Sequence, residues 1–122
     1  RRITVTASVN HVAFNRPVPL GSVVTVEAAV SRAFNTSMEV YIDVWMEDRV
    51  SGARLKANEA IYTFVAVDES GAPTVVPELL PETDLEKSRY DAALRRKQLS
   101  LVLAGRMNPQ DATELKALFM AP

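Results

Sequence analysis

Glu39, Asp43, Glu59, Asp68 and the single imidazole, His11, are the candidates for moving a proton in this chain. Attack by water on an activated carbonyl needs such a base, together with a donor for the oxyanion that develops. Glu59 falls within a β-rich stretch, where it is a weak candidate base, since strand-surface carboxylates are common. His11, between Asn10 and Val12, is a candidate to orient a water or line a pocket. With no carboxylate beside it in sequence, it suits a structural role as well. Asp68 opens the run Asp68-Glu69-Ser70-Gly71 and is accounted for by turn chemistry. Glu39 and Asp43 alternate with Tyr41 and Trp45 on the less apolar side of their strand, which suits solvent or a subunit contact. The absence of cysteine excludes a thiol nucleophile, a Cys-based zinc site and a disulfide framework.

Charge adds one local feature. Fourteen basic and fifteen acidic residues leave a net charge of -1, which gives no electrostatic case for nucleic acid. Yet Lys87, Arg89, Arg95, Arg96, Lys97 and Arg106 face only Asp91 across the same stretch. A solvated helix face explains such a run, and a phosphate-bearing ligand or an acidic neighbour is the sharper reading. With 122 residues, 48% hydrophobic and 24% charged, the chain is a single domain of ordinary globular composition. No apolar run approaches the roughly 20 residues of a membrane span, and Arg1–Thr6 alternates instead of forming a signal-peptide core. A protein of the cytoplasm, off the membrane, is expected.

The elements that must position these groups divide near residue 80. Residues 2–9 alternate, with Ile3, Val5, Ala7 and Val9 on one face and Thr4, Thr6 and Ser8 on the other. Pro17, Pro19 and Gly21 then interrupt the chain. Val23–Phe34 places Val24, Val26, Ala28 and Val30 together. Asn35-Thr36-Ser37 is short enough for a hairpin. Met38–Glu47 alternates around Met38, Val40, Ile42, Val44 and Met46, and Arg54–Val67 follows the turn at Gly52. This predicts a four-stranded antiparallel meander over residues 1–80. Residues 81–122 predict a helical extension of the same domain. Thr83 and Glu86 form a capping-box pattern for a helix ending near Gly105, with Leu85, Tyr90, Leu94, Leu101 and Val102 as its apolar stripe. Asn108-Pro109 starts a second helix, with Leu115, Leu118 and Phe119 as its apolar face. The face carrying Val24, Val40, Ile42 and Val44 wants a hydrophobic cover, and the Thr83–Gly105 helix is too polar to provide it.

Three stretches then define a resemblance. Val12-Ala13-Phe14-Asn15-Arg16-Pro17-Val18-Pro19-Leu20-Gly21-Ser22-Val23-Val24 resembles the F-x-x-P-V-x-x-G-D-x-V segment of the hotdog-fold acyl-CoA thioester hydrolases. Asn35-Thr36-Ser37-Met38-Glu39-Val40 resembles that family's T-S-M-x-V hairpin. Ala60–Asp68, followed by Val76-Pro77, resembles its A-x-x-T-F-V-A-V-D strand and V-P tail. The three occur in the family's order and spacing, over roughly residues 3–78.

The resemblance implies an α+β hotdog fold, an antiparallel sheet wrapping a central helix, with C-terminal helices. It also implies hydrolysis of acyl-CoA to free CoA and a carboxylic acid, with no metal and no covalent cofactor, and with coenzyme A as part of the substrate. The family's glycine-rich helix, carrying an N-x-x-G … G-G … D pattern and its catalytic Asn and Asp, has no counterpart among the four glycines here. The expectation is therefore that the chain starts at the family's second strand, as one segment of a longer gene product. The catalytic pair would then lie upstream. Coenzyme A carries phosphates that need backbone N–H groups, hydroxyls and cations. Asn35, Thr36 and Ser37 in the turn, and Arg54 and Lys56 on the next strand, are the expected CoA contacts. Their ordinary roles would be a polar hairpin and a charged strand edge. A homodimer is the expected minimum, and three dimers in a hexamer the expected assembly. The alternative is a non-catalytic hotdog module that binds CoA or acyl groups, or an assembly subunit.

Overall fold

The computed structural model describes residues 3–120. The expected roles of Arg2 and of the side chains of Ile3, Thr6, Ala7, Leu118 and Phe119 lie outside what is described. The chain forms two compact units, one up to Leu79 and one from Leu80 onward.

The first unit is built from strands β1 (Ile3–Phe14), β2 (Val24–Ala33), β3 (Ser37–Glu47) and β4 (Arg54–Val67). All pair antiparallel, in the order β1-β4-β3-β2. The expected meander therefore holds only for β2, β3 and β4, while β1 lies against β4. The cause is the connection after β1. Pro17 and Pro19 offer no N–H, Gly21 takes φ +88°, and Ser22 turns back onto the Pro19 carbonyl through both its N–H and its hydroxyl. A loop of this kind does not make the tight hairpin that would have paired β1 with β2. The loop is tied down instead by Arg49, whose guanidinium donates to the Gly21 carbonyl at 2.7 Å.

β1 also runs further than the alternation predicts, to Phe14. Its register on β4 slips between Thr6 and Ser8 and again between Val9 and His11. Val5 thus pairs with Val65 but Val9 with Tyr62, on opposite faces of β4, so these two valines do not share a face as expected. On β2 and β3 the pattern holds. Val24, Val26, Ala28 and Val30 pair with Met46, Val44, Ile42 and Val40 to make one apolar face. Tyr62 and Phe64 continue it on β4, their rings stacked with centroids 6.1 Å apart. Its members are largely open, with Val26 62% and Phe14 81% exposed. The first unit contains no helix among the described residues, and the central helix implied by the resemblance is not among them.

The second unit holds α1 (Asp84–Leu103) and α2 (Thr113–Met120). The Thr83 hydroxyl accepts the Glu86 N–H while Glu86 accepts the Thr83 N–H, so the capping box forms as expected. Asn108 caps a short 3₁₀ turn, Pro109–Asp111, rather than α2 itself. The start of α2 is capped from α1. Buried Gln98 accepts the N–H groups of Glu114 at 2.9 Å and Leu115 at 3.1 Å through one oxygen.

Candidate functional site

A row of charged and polar groups crosses the sheet on the face opposite the apolar one. Its centre depends on a bulge in β4. Val44 pairs with Asn58 but Trp45 pairs with Lys56, so Ala57 is an extra residue. Regular alternation would put Lys56 and Glu59 on opposite faces; the bulge brings them to the same one. Ala57 is fully buried, and its carbonyl accepts the N–H groups of Asn15 and Arg16 where β1 ends.

Lys56 Nζ then lies 2.8 Å from Asp43 Oδ1 and 2.8 Å from Glu59 Oε2. The Tyr41 hydroxyl donates to Glu59 Oε2 at 3.0 Å, and His11 Nε2 is 3.8 Å from Glu59 Oε1. Arg54 pairs with Glu27 at the β2 edge and stacks over the Trp45 ring, 4.8 Å from its centroid. Further along β3, the Ser31 hydroxyl donates to Glu39 Oε1 at 2.6 Å. Of the two settings expected for Glu39 and Asp43, solvent or a subunit contact, open solvent does not hold: Glu39 is 2% exposed and Asp43 6%. Asp43 is paired there with Lys56, and Glu39 with the Ser31 hydroxyl.

The Lys56 hydrogen bond is the main cause holding the Glu59 carboxyl below the usual carboxylate range. Burial opposes it, and the Tyr41 hydroxyl and the His11 charge add to it. For Lys56, burial works against the charged form, but hydrogen bonds and attraction from Asp43 and Glu59 outweigh it and raise the ammonium above its ordinary value. Glu59 is thus a paired anion of low basicity. Among the described residues, no group of three or more His, Cys, Asp or Glu is arranged to hold a metal ion.

The structure therefore brings His11, Glu59 and Lys56 together, and adds Tyr41 and Asp43 to them. It does not gather the five expected CoA contacts. Ser37 pairs with Val65 at one end of β3 and β4, whereas Arg54 pairs with Glu47 at the other. The rise per residue separates them by about 30 Å. Ser37 is buried, Asn35 is exposed, and the carbonyls of Asn35 and Thr36 accept from Val76 and Ala66. Arg54 and Lys56 are both spent on carboxylates.

Sequence reasoning passed over Asn58. Its backbone pairs with Phe14 and Val44, which places it on the apolar face. There it lines an open depression with Phe14, Asn15, Arg16, Pro17 and Val18. Asn58 Oδ1 is buried and accepts no hydrogen bond. The signal available beforehand was a lone amide interrupting an apolar alternation.

Comparison with known proteins now gives the family. The sequence model of the thioesterase superfamily matches residues 1–53. Protein VdlD of Helicobacter pylori is 42% identical over 96 residues, covering 79% of this chain and 55% of that protein. A crystal structure of an apo-hexameric acyl-CoA thioesterase superposes with a TM-score of 0.77 at 39% identity, covering 83% of this chain and 65% of the other. The acyl-CoA hydrolase of Staphylococcus aureus, solved with butyryl coenzyme A, coenzyme A and coenzyme A disulfide, superposes at 0.74 with 35% identity. That match covers 93% of this chain and 68% of the hydrolase. The chain belongs to the thioesterase superfamily and has the sheet of its hotdog-fold acyl-CoA hydrolases. It spans about half the length of the curated relatives it matches.

Proposed function

We propose that this protein acts in acyl-CoA thioester hydrolysis. The oxygen of water bonds to the thioester carbonyl carbon, the C–S bond breaks, and the leaving thiolate takes up a proton as free CoA. The observation that carries this reading is the likeness to the Staphylococcus aureus acyl-CoA hydrolase, which was solved in complex with butyryl coenzyme A, coenzyme A and coenzyme A disulfide. Glu59 serves the sheet as a paired anion and His11 as its outer contact, because a carboxylate held below its usual range by an ammonium is a poor base. No cofactor takes part. A homodimer is the minimum assembly and a hexamer the full one; the hexameric state of a thioesterase with 39% identity supports this. Asn35 and Thr36 contact the nucleotide end of CoA from a second copy. Supporting this, Asn35 is exposed in the turn between β2 and β3.

Thiol release from short-, medium- and long-chain acyl-CoAs tests the reading directly. Release that saturates with substrate is expected. No release from any acyl-CoA, alongside measurable CoA binding by calorimetry, would replace it with the non-catalytic binding module.

A further inference from the structure

The turn that carries Asn35 and Thr36 grows out of a second bulge in the sheet. Val30 pairs with Val40, but Arg32 pairs with Glu39, so Ser31 is the extra residue of β2. A bulge bends its strand and sharpens the local twist. Only the pairs Arg32–Glu39 and Ala33–Met38 separate this bulge from the turn, so its shape sets the direction in which the turn leaves the sheet. Ser31 is buried, and its hydroxyl lies 2.6 Å from Glu39 Oε1 and 3.1 Å from the Glu39 carbonyl. The bulge is thus closed by both the side chain and the backbone of the facing residue. A carboxyl taken out of water costs stability unless it is hydrogen-bonded, and a buried polar or charged pair is often no more stable than apolar residues of the same volume. Core stability alone does not call for Ser31 and Glu39 here; a fixed bulge does. Beyond the bulge the turn is held by its carbonyls. Asn35 accepts the Val76 N–H at 3.0 Å and Thr36 the Ala66 N–H at 2.9 Å, and Val76 is itself buried.

We infer that the Ser31–Glu39 pair positions this turn for the nucleotide end of coenzyme A without touching the ligand. The inference rests on the reading above, in which Asn35 and Thr36 contact that end. Ser31 and Glu39 are positioning residues: they act through Asn35 and Thr36, on affinity and not on the bond that breaks. Their loss weakens thioesters that carry the nucleotide and spares those that lack it.

The test compares butyryl-CoA with S-butyryl-N-acetylcysteamine, the same thioester without the nucleotide, and measures CoA affinity by calorimetry. Ser31→Ala should raise the KM for butyryl-CoA and the Kd for CoA about five- to tenfold, with kcat within about twofold. Its kcat/KM for the nucleotide-free thioester should stay within about twofold of the wild type. Ser31→Thr, which keeps the hydroxyl, should restore both. Glu39→Gln keeps the shape and offers a weaker acceptor, so it should show the same split at about threefold, and it answers the question if Ser31→Ala does not fold. The loss of CoA affinity in Asn35→Ala should not add to that in Ser31→Ala, because the two act through one contact. An equal loss on both thioesters overturns the inference, since it marks a merely structural pair. So does an unchanged KM for butyryl-CoA, or full additivity with Asn35→Ala. In those cases wild-type turnover of butyryl-CoA leaves the thioesterase reading intact. If the wild type releases no thiol from any acyl-CoA, the hydrolase reading falls and the CoA affinities alone decide the pair; a wild type that binds no CoA overturns both.

Discussion

Lys56 Nζ sits 2.8 Å from Asp43 Oδ1, and this contact exists because Ala57 is squeezed out of register beside it. The same ammonium holds Glu59 at an equal distance, so one cation is shared by two carboxylates on neighbouring strands. Removing it leaves two poorly solvated anions facing each other. Lys56→Met should therefore cost about 2–3 kcal/mol, more than an exposed ion pair would. Chemical denaturation of the variant beside the wild type measures it. A loss under 0.5 kcal/mol, on the scale of about 0–1 kcal/mol for exposed pairs, would show that the pairing contributes nothing to stability.

The same network fixes a pH dependence. Glu59 is lowered from an ordinary value of 4.5, so its contribution is present above that pH and disappears as pH falls through its lower, folded value. Lys56 is raised from 10.5, so its contribution is complete below that pH and is lost as pH rises through its higher, folded value. Lys56→Met should respond in the opposite sense to acid, since protonation relieves the repulsion between Asp43 and Glu59. The gap in melting temperature between wild type and variant should narrow as pH drops from 7 towards 3. A gap that stays constant or widens would contradict the assigned pairing.

Much of this arrangement was written into residue order. β4 emerges with the expected bounds because Gly52 and the Asp68 turn delimit it: the Asp68 carboxylate accepts the Ser70 and Ala72 N–H groups. The Thr83–Glu86 box is a local pattern and forms as read. What stayed hidden depends on register. Strict alternation separates Lys56 from Glu59 and unites Val5 with Val9; in each case a bulge reverses the outcome. Bulges arise where distant strands meet, as when Asn15 and Arg16 converge on the Ala57 carbonyl. The pairing of β1 with β4 was missed for a related reason, because proline and glycine signal a break without saying where the chain goes next. The expected CoA cations Arg54 and Lys56 were read without their partners Glu27, Asp43 and Glu59, which only the folded sheet supplies.

Gly21 and Arg49 form a second long-range tie. Gly21 has φ +88°, and a Cβ built there would collide with Arg49 Nη2, the atom that donates to its carbonyl. Gly21→Ala thus suffers both an unfavourable backbone region and a displaced guanidinium, for about 1–2 kcal/mol. Arg49→Lys, which cannot hold the same planar contact, should loosen the loop without the backbone strain. Amide exchange in the Gly21–Val23 segment should quicken in both variants, and the unfolding midpoint should fall more in Gly21→Ala.

In the helical unit, Gln98 does the work of an N-cap from a distance. Gln98→Leu leaves the Glu114 and Leu115 N–H groups without their acceptor and should cost about 1–2 kcal/mol. Gln98→Glu keeps an oxygen there and adds a charge suited to a helix N-terminus, so it should be tolerated better. Faster amide exchange at Glu114 and Leu115 in Gln98→Leu, but not in Gln98→Glu, would establish the cap. Equal exchange in both would reduce Gln98 to a packing residue.

Glu59 separates a structural from a chemical role for the polar face. Its carboxyl is held ionised by Lys56 and Tyr41, which favours pairing over proton abstraction. A general base typically contributes 10²–10⁴-fold to a rate, so removing one should be unmistakable. Glu59→Gln preserves shape and the contact with Tyr41 while abolishing the charge. It should lower the melting temperature yet leave kcat for butyryl-CoA, per folded molecule, within about threefold of the wild type; His11→Asn should behave alike with a smaller loss of stability. A fall in kcat of a hundredfold or more in Glu59→Gln, with the fold intact by circular dichroism, would make this carboxylate the base. The polar face would then be the seat of the chemistry.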